Sequence, residues 1–74
     1  MDIYVSTLTP ITGADIYGGV RTAVFLNEED AYRDMLEWLD KPEFTSITEA
    51  ADTLDDSIPN VITQWYVHKH EVPV

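Results

Sequence analysis

The chain contains no cysteine, and at this length that absence dictates how it must hold together. Disulfide frameworks, zinc knuckles, iron–sulfur clusters and thiol nucleophiles fall away at once. The 74 residues make one domain, which buries only about 60% of the surface its unfolded form exposes. Packing between layers therefore has to supply all the stability, and little chain remains to wall in a deep substrate pocket. With 45% apolar residues the sequence is still too apolar for obligate disorder.

The apolar pattern changes period along the chain. Ile3 to Leu8 is rich in β-branched and aromatic residues and closes at Pro10, which reads as a first strand. Thr9 to Gly19, with Pro10, Gly13, Gly18 and Gly19, is a connection. Val20, Thr22, Val24 and Leu26 then alternate with Arg21, Ala23 and Phe25 as a second strand. Asn27 is placed to cap a helix whose first turn, Glu28, Glu29 and Asp30, meets the positive end of the dipole. Ala31, Tyr32, Met35, Leu36, Trp38 and Leu39 share one side of that helix, which should stop near Asp40 because Pro42 cannot continue it. Ser46 and Glu49 have capping-box spacing ahead of a short second helix with Ile47, Ala50, Ala51 and Leu54 as its apolar stripe. Ser57 to Asn60 is a turn around Pro59. Val61 to Lys69 reads as a third strand with Val61, Thr63, Trp65 and Val67 on one face and Ile62, Gln64, Tyr66 and His68 on the other.

These elements predict an α+β domain, ββα(α)β, spanning residues 1–74. Its core is a three-stranded antiparallel sheet in order 2-1-3, one main helix packs on it, and the short second helix lies near its edge. Trp38 and Trp65 are expected in the core, because few other bulky residues are available to fill it. No apolar run is long enough to span a bilayer and the first residues lack a basic leader, so a soluble, cytoplasmic protein is expected.

Charge is the one functional lead. Residues 28–56 hold eleven carboxylates, at positions 28, 29, 30, 34, 37, 40, 43, 49, 52, 55 and 56, against Arg33 and Lys41, so nearly all of the net charge of −10 lies there. A field of that sign repels DNA, RNA and anionic lipid and attracts a basic protein surface. Carboxylates on water-facing helix sides are poor general acids, and no nucleophile elbow, phosphate loop or zinc-protease spacing is present. His68, His70 and Glu71 contain a fragment of a metal-site pattern, but adjacent strand residues point to opposite faces, so three ligands do not converge there. The expectation is a protein without enzymatic activity, cofactor or metal.

On the first helix Asp30, Asp34 and Glu37 rise in steps of about 6 and 4.5 Å, a spacing similar in scale to a nucleic-acid phosphate ladder. Asp30 and Asp34 repel each other at i, i+4, a cost of roughly 0.2 to 0.5 kcal/mol; Glu29/Arg33 and Glu37/Lys41 offset it locally. The residues expected to meet a partner are Asp30, Asp34, Glu37 and Asp40 of the first helix, and Glu49, Asp52, Asp55 and Asp56 of the second. Phe44 is expected as an apolar anchor between them, and Tyr17 as a second loop aromatic in contact.

The opening Ile3-Tyr4-Val5-Ser6-Thr7-Leu8, followed by a loop and Gly18-Gly19-Val20, resembles the start of ArdA-type antirestriction proteins, acidic DNA mimics of mobile elements. More broadly, a small acidic ββαβ protein resembles phage-encoded inhibitors of host defence, anti-CRISPR proteins among them. The resemblance implies an inhibitor acting by DNA mimicry on the basic nucleic-acid-binding surface of a defence complex or nuclease. Two alternatives stand beside it: an antitoxin or immunity-type partner of one basic protein, and a salt-adapted small structural protein.

Overall fold

The computed structural model describes residues 1–11 and 20–73. Five elements follow in the predicted order: β1 (Asp2–Pro10), β2 (Arg21–Phe25), α1 (Glu28–Trp38), α2 (Ile47–Asp56) and β3 (Ile62–Glu71). The sheet has the order β2-β1-β3 with both ladders antiparallel, as expected. β1 is longer than its β-branched run because, as the central strand, it pairs with β3 from Asp2↔Glu71 to Pro10↔Ile62. β2 pairs over a shorter stretch, from Tyr4↔Phe25 to Leu8↔Arg21.

The two ladders divide the strand residues between two faces. Tyr4, Ser6, Leu8 and Pro10 line the face beneath the helices, with Ala23 and Phe25 from β2 and Trp65 and Val67 from β3. On β3 the alternation read from sequence needs correcting. Thr9 pairs with Gln64 but Pro10 pairs with Ile62, so Thr63 is an extra residue and the strand carries a β-bulge. The bulge inverts the phase and turns Ile62, fully buried, to the same side as Trp65. The Thr63 hydroxyl donates to the Thr9 carbonyl at 3.3 Å.

Leu8, Met35, Leu54 and Ile62 form the core, with Tyr32, Leu39, Trp65 and Val67 packed around them. One residue comes from each of β1, α1, α2 and β3. Each such side chain contributes roughly 1.5 to 3 kcal/mol by leaving water. The helix starts are as read: Asn27 Oδ1 accepts from the Glu29 N–H at 2.8 Å, and Ser46 Oγ from the Glu49 N–H at 3.2 Å. α1 ends in a Schellman arrangement, in which the Lys41 N–H donates to the Leu36 carbonyl at 2.9 Å and the Asp40 N–H to that of Glu37 at 3.0 Å. Both helices lie on one face of the sheet, and among the described residues no helix covers the other face.

Candidate functional site

Because the eleven carboxylates of residues 28–56 belong to α1, α2 and their connections, the one-sided helix layer collects them on one side of the sheet. The opposite face presents Ile3, Val5, Thr7 and Thr9 from β1, Thr22 and Val24 from β2, and Gln64, Tyr66, His68 and His70 from β3. Not one of these is acidic. The molecule is thus polarised, with a charged helical layer backing onto an uncharged sheet surface.

Within that layer the expected contact residues differ in how free they are. Asp30, Glu37 and Asp40 on α1 and its end, and Glu49, Asp52 and Asp56 on α2, are exposed. At about 100° per residue, Asp30 and Glu37 lie near the middle of the solvent side of α1, and Glu49, Asp52 and Asp56 share the solvent side of α2. Asp34 differs. Its carboxylate takes two hydrogen bonds from Arg21 on β2, Nε at 3.0 Å and Nη2 at 2.6 Å, and its side chain is only 19% exposed. Arg21 is held above its ordinary pKa by this hydrogen bond, with nearby Glu37 adding to the effect. Asp34 is therefore a tie between α1 and the sheet edge. Asp55 is exposed but also tied: its carboxylate accepts the Trp65 indole N–H at 2.8 Å, fastening the end of α2 to β3.

The aromatic residues are placed differently from the expectation. Trp65 is half-buried against the core, edge-on to Tyr32 with ring centroids 5.7 Å apart. Trp38 is not a core residue. It is 37% exposed and lines a cleft with Arg21, Asp34 and Glu37. On the helical wheel it stands about 90° from the centre of the buried stripe, on the flank that carries Asp34, and that angle was its signal. Phe44 is half-buried, with the Arg33 guanidinium 4.4 Å from its ring centroid, so it serves to hold the connection between the helices and is less available as an anchor than Trp38. Tyr17 lies outside the described residues.

The four bases offset only part of this layer's charge. Arg21 is bound to Asp34, Arg33 is stacked on Phe44, and Lys69 reaches Asp2 at 3.4 Å on β3 and β1. The Lys69 pKa is raised, chiefly by the charge of Asp2. Lys41 lines a second shallow cleft with Pro42, Glu43 and Thr53. On the uncharged face, the His68 and His70 rings lie 5.7 Å apart, while Glu71 pairs with Asp2 on the other side. Among the described residues no group of three potential ligands is close enough to hold a metal ion. No helix among them is long and apolar enough to cross a membrane. Comparison with protein-family models, curated proteins and solved structures finds no match.

Proposed function

We propose that the protein is a non-enzymatic inhibitor whose acidic helical layer docks on a Lys/Arg-lined nucleic-acid-binding surface of a defence complex or nuclease and blocks it by occupancy. The observation that carries this reading is the segregation of charge: the carboxylates of residues 28–56 sit in the two helices and their connections, on one side of a sheet whose other face has none among the described residues. A field concentrated in this way speeds encounter with a positive groove, and an exposed aromatic within it supplies contact area that charge alone does not. The free carboxylates for this role are Asp30, Glu37, Asp40, Glu49, Asp52 and Asp56. Asp34 and Asp55 shape the layer from inside.

The test is competition for the target. The chain is added to purified restriction and CRISPR effector complexes carrying labelled DNA, at about 0.05 M and about 0.5 M salt, where screening lengths differ several-fold. Displacement of DNA at low salt is expected, and its loss in D30K/E37K and D52K/D56K variants of unchanged helix content identifies the face. Reversal of Asp34 is avoided because it would set a lysine against Arg21 and disturb the fold. Binding without displacement of nucleic acid would make the chain a neutralising partner of the antitoxin kind. Absence of binding to any basic partner would leave the charge as a solubilising coat.

A further inference from the structure

The cleft beside Trp38 indicates what kind of side chain the acidic layer receives. It is lined by Arg21, Asp34, Glu37 and Trp38, with a volume of about 230 Å³. Pockets for drug-sized ligands run to about 300–1,000 Å³, so this one suits a single long side chain better than a metabolite. Its charges are not equivalent. The Arg21 guanidinium and the Asp34 carboxylate satisfy each other through two hydrogen bonds, which leaves the cleft with one net negative charge, that of Glu37, which lies near enough to Arg21 to act on it but is not bonded to it. Glu37 has no ion-pair partner among the described residues. The fourth wall is an indole ring that is 37% exposed and sits one residue from that carboxylate.

A carboxylate lining the same cleft as a partly exposed indole is complementary to a flat cation on an apolar stem. Guanidinium satisfies both halves, because it bonds carboxylate oxygens in a planar fork and stacks on aromatic rings while being weakly hydrated. An ammonium satisfies the charge but stacks less well and is costlier to dehydrate. A nucleobase could stack on Trp38, but its phosphate would meet Glu37. We propose that this cleft is the receptor for one arginine side chain of the basic partner, with its guanidinium on Glu37 and against the Trp38 indole. The assignment rests on the reading of the helical layer as a docking face and names the residue type that anchors there.

The experiment uses the full ¹⁵N-labelled chain at low salt and follows the two indole N–H resonances, one from Trp38 and one from Trp65. The probes are N-acetyl-arginine methylamide, its lysine counterpart and its norleucine counterpart. The expected result is a saturable shift of the Trp38 resonance with the arginine probe, weaker by about five-fold with lysine and absent with norleucine, while Trp65 stays in place. E37Q and W38L should each weaken the arginine response about five-fold or more. Both positions are exposed, and E37Q keeps the cleft's shape should W38L perturb the fold. Equal shifts with arginine and lysine, or a Trp38 resonance that does not move, would overturn the cleft assignment. An oligo-arginine peptide separates that failure from failure of the docking reading. If the peptide binds wild type and both variants equally, the acidic layer keeps its role and the cleft loses its own; if it binds neither wild type nor variants, both are rejected.

Discussion

Asp40 offers the most direct measure of what the acidic layer costs the fold. It occupies the position just past the C-cap Leu39 of α1, with φ at +61°, the left-handed region where glycine is the usual occupant. An L-residue there forfeits roughly 1 to 2 kcal/mol, aspartate toward the lower end because its short polar side chain tolerates the conformation. Its carboxylate also lies at the negative end of the α1 dipole, and no basic residue occupies the last turn; relief of that contact returns about 0.3 to 1 kcal/mol. Asp40→Gly removes both costs, while the greater freedom of glycine in the unfolded chain subtracts about 0.5 to 1 kcal/mol. The net expectation is a stabilisation of about 1 kcal/mol, which in a domain of this size raises Tm by about 4 to 8 °C. Thermal unfolding followed by circular dichroism reads it. Asp40→Asn removes the charge and keeps the tolerance for left-handed backbone, so it should gain only the dipole part. Asp40→Ala keeps the backbone cost and should fall below both. If glycine proves no more stable than asparagine, the backbone argument is wrong.

Two further perturbations test the packing. Leu54→Ala should cost about 2 to 5 kcal/mol in urea denaturation, because Leu54 is the one α2 residue in the buried core cluster; a loss under 1 kcal/mol would mean α2 is held mainly by the Asp55 carboxylate on Trp65. The Tyr32 phenol is pushed above its ordinary pKa, first by burial and then by the charges of Glu28 and Asp55. The folded state therefore favours the neutral phenol. Its contribution to stability is whole below the unfolded value of about 10 and is lost as pH rises through the higher folded value. A phenolate absorbance titration should show one tyrosine ionising late, and Tyr32→Phe should delete that component; its persistence would reject the assignment.

Most of the fold was legible because its signals are local. Asn27 and Ser46 cap in the way their side chains allow, Pro42 follows the end of α1, and each helix stripe faces the sheet. What escaped depends on pairing partners that local pattern does not contain. The bulge at Thr63 arises from how β3 meets Pro10 of β1, so strict alternation put Ile62 on the wrong face. Asp34 looked like any other rung of an acidic ladder because its partner, Arg21, is thirteen residues away on another element. Bulk argues for Trp38 in the core, but its wheel angle puts it at the border of the stripe. Phe44 sits in a loop as expected, but it is covered by Arg33 from the helix before it.

The choice between a coat and a docking surface turns on where the carboxylates are rather than on how many there are. Charge selected only for solubility gains most where apolar surface is bare, and on the sheet face Val24 is 60% and Tyr66 45% exposed with no acidic neighbour among the described strand residues of that face. The same selection would avoid helix C-termini, where the dipole disfavours anions. Here α2 ends on Asp55 and Asp56, α1 is followed by Asp40 in a strained backbone position, and neither helix has a basic residue in its last turn. Glu28, Glu29, Asp30 and Glu49 occupy first turns that favour them, but Asp40, Asp55 and Asp56 sit where the dipole resists them, and the described strand residues of the open sheet face carry no carboxylate. The docking surface proposed above accounts for those three C-terminal carboxylates, because it needs negative charge gathered on one side at some local cost, whereas a coat for solubility does not call for them.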